Sequence, residues 1–257
     1  MEITIPIALL ALLALLALLF FLVAFTYSSV GLGGGSSYTA LMAIFGLSAM
    51  TIPMISLMLN VIVSSVGSFN FVRHKHARFR IVAPFLVTSI PMAWIGGALK
   101  VSPSVFYWVL FLSLLFVVIR IFFFADTRLR LELSKAQKLL LSLAAGGVLG
   151  LVAGIAGIGG GIYLVPLIIV LGLGSEKEAA ACGAIFVWLN SCVGLASRLQ
   201  NNAIDVSAYI PLIVAVLIGG ALGSFLGAYR LSPLVMRRIL GAVVMLALIT
   251  LSRKMFL

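Results

Sequence analysis

The chain alternates between long apolar runs and short polar or basic connections, and the same order of runs appears in both halves. Each half has a long run, a glycine cluster, a short run and then three longer runs. The ten runs lie near residues 4–27, 36–46, 52–72, 81–99, 103–124, 138–154, 162–173, 179–199, 207–228 and 233–251. Because a helix needs about 20 apolar residues to cross a bilayer, we expect an all-α polytopic membrane protein, with residues 1–257 forming a single membrane domain.

The composition excludes a soluble fold. Of the residues, 63% are hydrophobic and 9% are charged, whereas about a quarter of the residues in soluble domains are charged. The net charge of +11 comes from short loops, which is typical of cytoplasmic loops. We therefore expect the lipid bilayer as a partner, and no nucleic acid. No enzyme, cofactor or metal motif is present, so we expect neither catalysis nor a cofactor.

Internal repetition divides the chain. The sequence GLGGG at residues 31–35 recurs as GIGGG at 157–161, and SSVG at 64–67 recurs as SCVG at 191–194. The most charged stretch separates the two copies. We predict a first repeat over residues 1–124, a charged linker over 125–137 and a second repeat over 138–257.

The two repeats are expected to have opposite orientations. Counting Lys and Arg on the two sides barely separates an inverted from a parallel arrangement. Equivalent loops differ more clearly, because RHKHAR at residues 73–78 is basic and QNNAID at 200–205 is not. Equivalent loops on opposite membrane faces show this contrast. We predict two inverted-topology repeats with broken or re-entrant helices at the glycine motifs.

The glycine clusters are the candidate solute site. Glycine weakens a helix by roughly 1 kcal/mol relative to alanine, and unwound backbone at membrane depth is tolerated only when it is buried or lines a cavity. The helix expected to begin after each break, at Ser36 or Ile162, directs unpaired N–H groups and a positive dipole end toward it. Such a helix end binds anions.

We predict a substrate site built from both glycine motifs and from polar residues on the helices that follow them. Asn60 and Ser64 share one helix face, and such groups can donate hydrogen bonds to an oxyanion. The predicted residues are Gly33, Gly34, Gly35, Ser36, Ser37, Asn60, Ser64, Gly159, Gly160, Gly161, Ile162, Tyr163, Asn190 and Ser191.

Structural roles are the alternative for each of these residues. Small residues also allow membrane helices to pack closely, as we expect at Gly146-Gly147 and Gly219-Gly220, and polar side chains also form interhelical hydrogen bonds. All internal acidic residues fall in predicted loops, so the usual relay of protons or cations through buried carboxylates is missing. This absence favours an anionic substrate.

The paired motif, above all GIGGGIYLVPL from residue 157 to 167, resembles the signature of the sulfite exporter TauE/SafE family, also called the toluene sulfonate uptake permease family. The resemblance covers essentially the whole chain. It implies that Gly159, Gly160, Gly161 and Pro166 occupy the family motif, with Pro166 as a structural position and residues 33–35 as the first copy. Ala40 stands where the second copy has Pro166.

The resemblance implies a secondary transporter or exporter of a small sulfur-containing anion, such as sulfite or a sulfonate, in the cytoplasmic membrane. Two alternatives stay open: an anion channel that uses the same site, and a membrane assembly protein that transports nothing. A homo-oligomer is also left open. The sequence does not indicate the direction of transport or the coupling ion.

Overall fold

The computed structural model describes residues 7–29, 32–123, 133–200 and 205–227, together with residues 245, 248, 249 and 251–253. Among these residues the chain forms helices and no strand. The α-helices are α1 (Ile7–Ser29), α2 (Gly35–Ile44), α3 (Thr51–Arg73), α4 (Phe79–Ala98), α5 (Pro103–Phe123), α6 (Lys135–Ala156), α7 (Gly161–Val170), α8 (Glu176–Leu199) and α9 (Ile210–Gly227).

The expected all-α membrane fold is confirmed. Within the described ranges, four helices are long and apolar enough to cross a membrane: Thr51–Arg73, Phe79–Ala98, Lys135–Ala156 and Lys177–Leu199. Two short helices, α2 and α7, follow the glycine motifs as predicted. The tenth apolar run, 233–251, lies outside the described residues except for a few helical positions.

Two of the helices that begin outside the glycine motifs have side-chain caps at their N-termini. Ser134 caps α6 in a capping box with Gln137, and Ser175 caps α8 in a capping box with Glu178. These side chains bond the free amides of the first turn. Helix α6 begins three residues before the predicted start of the second repeat, and much of the predicted linker lies outside the described residues.

Glycines bring α4 and α6 into direct backbone contact. Gly146 faces the backbone of Phe85, and Gly150 faces that of Ser89. Residues further along α6 therefore contact residues further along α4, so the two helices run parallel. The predicted packing role of Gly146 is confirmed, and the same contact explains why a larger residue would not fit at Gly150.

The same relation connects α1 with α9. Gly219 lies against the backbone of Phe21, and Gly223 lies against that of Phe25, so these helices also run parallel. In the repeat, α6 corresponds to α1 and α9 corresponds to α4. Each of the two pairs, α1–α9 and α4–α6, therefore joins the first helix of one repeat to the fourth helix of the other. A two-fold relation between the repeats requires this arrangement.

The equivalent helices α3 and α8 pack against each other in opposite directions. Gly194 lies beside Leu57 near the start of α3, whereas Ala184, earlier in α8, lies beside Gly67 near the end of α3. Equivalent membrane-spanning helices that run antiparallel are what inverted repeats require. The orientation of each end relative to the two faces of the membrane stays a prediction.

The basic loop after α3 and the start of α8 lie at the same end of the bundle. Arg78 forms an ion pair with Glu178, and the Cys182 thiol contacts the carbonyl oxygen of Arg78. The inverted arrangement places these segments on one side, whereas a parallel arrangement separates them. This contact therefore also supports the inverted prediction.

Replacing Gly150 with alanine is expected to destabilise the bundle. The added methyl group would collide with the carbonyl oxygen of Ser89, and overpacking of this kind costs about 1–3 kcal/mol. The midpoint of heat-induced unfolding in detergent measures the effect.

Gly147→Ala is the matched control, because its methyl group would have no neighbour closer than 3.8 Å. Its unfolding midpoint should stay unchanged or rise. Equal midpoints for the two variants would contradict the close approach of α4 and α6.

Candidate functional site

Both glycine motifs break the helical path, as predicted. Helix α6 ends at Ala156, and the chain resumes as α7 at Gly161 after Gly160, which has a φ of 79°. In the first repeat, α2 begins at Gly35 after Gly34, which has a φ of 92°. Positive φ values of this size are disfavoured for residues with a side chain. Glycine therefore permits both breaks, and each helix begins one residue earlier than expected.

The two helices that follow the breaks have no side-chain cap at their N-termini. The carbonyl oxygen of Gly34 accepts from the amides of Ser37 and Tyr38, and Gly160 plays the same role in the second repeat. The amides of the preceding residues have no acceptor within an α-helix. Helices α6 and α8 instead have capping boxes, whereas α4 also begins without a side-chain cap. The amides in the first turns of α2 and α7 therefore remain available to a ligand at the two breaks.

The breaks meet at one small pocket. A methyl group on Gly35 would lie 2.5 Å from the carbonyl oxygen of Ile158, so the two motifs are in contact. The pocket has a volume of about 170 Å³, much of which is open. Its enclosed space would hold about one water molecule. Its lining residues are Tyr27, Leu32, Gly33, Gly34, Gly35, Ser36, Ile158, Gly161, Ile162 and Val187.

Two side chains of α3 connect the motifs. The Ser56 hydroxyl lies 2.7 Å from the carbonyl oxygen of Gly157 and 3.3 Å from that of Gly35. The Asn60 side-chain amide donates to the carbonyl oxygen of Gly157 at 3.3 Å. Since a carbonyl oxygen can only accept, this contact fixes the orientation of the Asn60 amide. Helix α3 therefore bonds the carbonyl oxygen of Gly157, which follows the last residue of α6.

The Asn60 side chain also carries an unused acceptor. Its Oδ1 atom is buried and has no hydrogen-bond partner. A methyl group on Gly33 would lie 2.6 Å from this oxygen, so the atom faces the first motif directly. Buried polar atoms without a partner are uncommon in native proteins. Asn60 therefore has hydrogen-bonding capacity left beside the breaks.

A hydroxyl cluster lies beside the first motif. The Tyr27 hydroxyl is 2.9 Å from the hydroxyls of both Ser36 and Ser37. Tyr27 and Ser36 line the pocket, whereas Ser37 is not a lining residue. These hydroxyls can turn their hydrogens toward an anion or toward one another.

The structure brings part of the predicted site together. Six predicted residues line the pocket: Gly33, Gly34, Gly35, Ser36, Gly161 and Ile162. Gly159 and Gly160 do not line it, because they pack against the side chains of Val187 and Phe186. Their role here is to form the break.

The other predicted polar residues in the second half lie apart from the pocket. The Tyr163 ring packs against Phe116, with ring centroids 5.5 Å apart. The Asn190 amide donates to the carbonyl oxygen of Phe186. The Ser191 hydroxyl is buried without a partner, and it lies behind Gly159.

Two further predicted residues, Ser64 and Pro166, have local roles in their own helices. The Ser64 hydroxyl donates to the carbonyl oxygen of Asn60 within α3, so it turns back on its own helix. Pro166 lies inside α7 and has no N–H to donate to the carbonyl oxygen four residues earlier. That carbonyl belongs to Ile162, which lines the pocket.

Sequence reasoning missed four lining residues: Tyr27, Leu32, Ile158 and Val187. Leu32 and Ile158 are the variable positions inside the glycine motifs, so the motifs themselves offered the signal. Tyr27 is the last aromatic residue before the first motif. Val187 resembles any other apolar helix residue, and the sequence contains no sign of its position.

A buried cation lies near the second motif. Arg198 is 7% exposed, and its guanidinium donates to the carbonyl oxygens of Gly154 and Ile155 at the end of α6. The predicted apolar run 179–199 includes this charge near its end. A cation at a helix C-terminus interacts favourably with the helix dipole. Arg198 therefore stabilises the end of the helix that leads into the second break.

Arg198→Met is expected to lower the unfolding midpoint, because it leaves buried carbonyl oxygens unsatisfied, at a cost of about 1–3 kcal/mol. Arg198→Lys should have a smaller effect. The exposed Arg80 provides the control, since Arg80→Met should leave the midpoint unchanged. An equal shift for the Arg80 and Arg198 substitutions to methionine would contradict this role.

No group of His, Cys, Asp or Glu side chains suitable for a metal ion occurs in the part of the chain that the structure describes. The pocket offers backbone amides, hydroxyls and apolar side chains instead. Together, the membrane helices, the broken segments and this pocket define the class as a membrane transporter.

Comparison with known proteins identifies the family. The chain belongs to the sulfite exporter TauE/SafE family, whose model matches residues 16–251. It is also 32% identical over 235 residues to the probable membrane transporter protein y4hK of Sinorhizobium fredii (strain NBRC 101917 / NGR234). That match covers 89% of this chain and 93% of the relative. No solved structure matches the chain.

Proposed function

We propose that this protein is a secondary transporter of a small sulfur-containing anion, such as sulfite or a sulfonate, across the cytoplasmic membrane. The observation that carries the proposal is that two uncapped helix N-termini, those of α2 and α7, meet at one pocket. Membership of the family supports transport, and the name of the family suggests the anion.

The electrostatics of the pocket favour an anion. Each helix N-terminus carries about half a positive elementary charge, and both are directed at the same small volume. No carboxylate is among the pocket residues of the described chain, and the hydroxyls of Tyr27 and Ser36 can donate to an oxyanion. A cation would meet two repulsive dipole ends and no counter-charge.

The size of the pocket implies that the two motifs separate during transport. Its enclosed space is too small for sulfite, because it holds about one water molecule. An anion can therefore enter only if the contact between Gly35 and Ile158 opens. Inverted repeats provide two equivalent ways of opening, one toward each face of the membrane. Alternating access is the cycle that we propose.

Flux into proteoliposomes tests the transport mode. We expect sulfite uptake to saturate with concentration and to be accelerated by sulfite loaded on the opposite side. The reason is that the substrate site of a carrier must return to its starting side of the membrane before the next uptake. A voltage-driven current that does not saturate would instead identify an anion channel. No flux of sulfite, thiosulfate or sulfonates would favour the assembly protein and contradict the proposal.

Gly34→Val and Gly160→Val are expected to abolish flux while the protein still inserts into the membrane. Both positions have positive φ values, and the new side chains would also meet Tyr38 or Phe186. The helix ends would therefore move away from the pocket. The measurement is initial sulfite uptake per inserted protein.

Gly46→Val is the matched control. Gly46 has a similar φ of 82°, but a side chain there meets no atom within 4 Å, and it is not a pocket residue. This variant should retain most of the flux. Wild-type flux in the Gly34 and Gly160 variants would show that transport does not depend on the breaks.

A further inference from the structure

The two halves of the pocket differ in chemistry although they derive from one repeat. If Gly33 is aligned with Gly159, Ser36 corresponds to Ile162 at the start of the short helix. If Ser64 is aligned with Ser191, Asn60 corresponds to Val187. At both positions a polar residue in the first repeat is replaced by an apolar residue in the second.

The first-repeat side of the pocket has polar side chains beside one aliphatic residue, Leu32. Ser36 and Tyr27 line it with hydroxyl groups that are 2.9 Å apart. Behind the first motif, Asn60 is fully buried and keeps an acceptor oxygen without a partner. Hydrogen-bonding side chains are therefore concentrated around the N-terminus of α2.

The second-repeat side of the pocket is apolar. Its side chains are Ile158, Ile162 and Val187, and none of them can form a hydrogen bond. A methyl group on Gly33 would lie 2.7 Å from a Val187 methyl group, so Val187 reaches across to the first motif. This side offers backbone amides from α7, and the side chains by which it lines the pocket are hydrocarbon.

Both helix ends supply amide donors, so the side chains determine how a ligand is oriented. An oxyanion gains additional hydrogen bonds only on the first-repeat side. Hydrocarbon in the ligand can pack against Ile158, Ile162 and Val187 on the second-repeat side, whereas Leu32 is the aliphatic residue of the first-repeat side. Sulfite carries oxygens and no hydrocarbon, and it would leave the apolar wall without a matching group.

We infer that Val187 and Ile162 form a specificity-determining wall, so that the preferred ligand is an organic monoanion with a short apolar substituent. Its oxygens face Ser36 and Tyr27, and its substituent packs on Val187 and Ile162. This inference rests on the proposed function and narrows the substrate of that same site.

Binding of a homologous series by the full-length purified protein tests the inference without any substitution. The ligands are sulfite, methanesulfonate, ethanesulfonate and propanesulfonate, and the readout is the Kd from calorimetry. Burial of each methylene should tighten binding by about fourfold, so Kd should fall along the series. Sulfite should bind more weakly than the sulfonates.

Val187→Asn copies the residue at the equivalent position of the first repeat. This variant should reduce the gain per methylene to less than about twofold, and the ratio of sulfite to propanesulfonate affinity should rise. Ile162→Ser, which copies Ser36, should act in the same direction. The second variant keeps the test decisive if the first does not fold.

Val63→Asn is the matched control. Val63 is buried on α3, corresponds to Asn190, and packs against Gly220 of α9 and not against the pocket. The chemical change is the same, and the preference along the series should stay that of the wild type.

The outcomes separate this inference from the proposed function. If the anions bind but sulfite binds as tightly as the sulfonates, or if Val63→Asn changes the series as Val187→Asn does, the apolar wall does not determine specificity and transport of anions still stands. If none of the ligands binds, the proposed function itself is overturned, and the inference with it.

Discussion

The structure depends on one constraint: backbone that leaves a helix within a membrane must find partners for its N–H and C=O groups. The protein meets the constraint unequally for carbonyl and amide groups. Helix α3 satisfies carbonyls, since the hydroxyl of Ser56 and the amide of Asn60 both bond Gly157. The amides at the starts of α2 and α7 receive no side-chain cap. The uncapped starts of both helices therefore meet at one pocket, and helix N-termini of this kind can bind anions.

Duplication explains how two such breaks come to face each other. Helices α3 and α8 are equivalent and antiparallel, and both glycine motifs pack between them. Only residues without side chains fit there, because a methyl group on Gly33 or Gly159 would meet the side chains of both Asn60 and Val187. The two copies differ in sequence beside the glycines: Ser36 corresponds to Ile162, and Asn60 corresponds to Val187. These differences place hydrogen-bonding side chains on the first-repeat side of the pocket and apolar side chains on the second-repeat side.

The sequence predicted the parts of this arrangement that backbone chemistry determines. Two glycine clusters in apolar runs predicted breaks followed by short helices, and Asn60 was recognised as a polar residue on a membrane helix. Val187 could not be recognised, because an apolar side chain in a membrane helix looks the same whether it faces lipid, core or pocket. The contacts of Arg198 could not be predicted, since the sequence does not show that carbonyls at the end of α6 surround it. Tyr163 was expected at the site, but its ring turns toward α5.

A structure with a bound oxyanion tests the central claim most directly. Selenite, an analogue of sulfite with a strong anomalous signal, allows the anion to be located in crystals of the full chain. The account predicts one anion between the starts of α2 and α7, with its oxygens about 2.7–3.2 Å from backbone amides there. An anion bound only elsewhere, with the two glycine breaks still in contact, would contradict it.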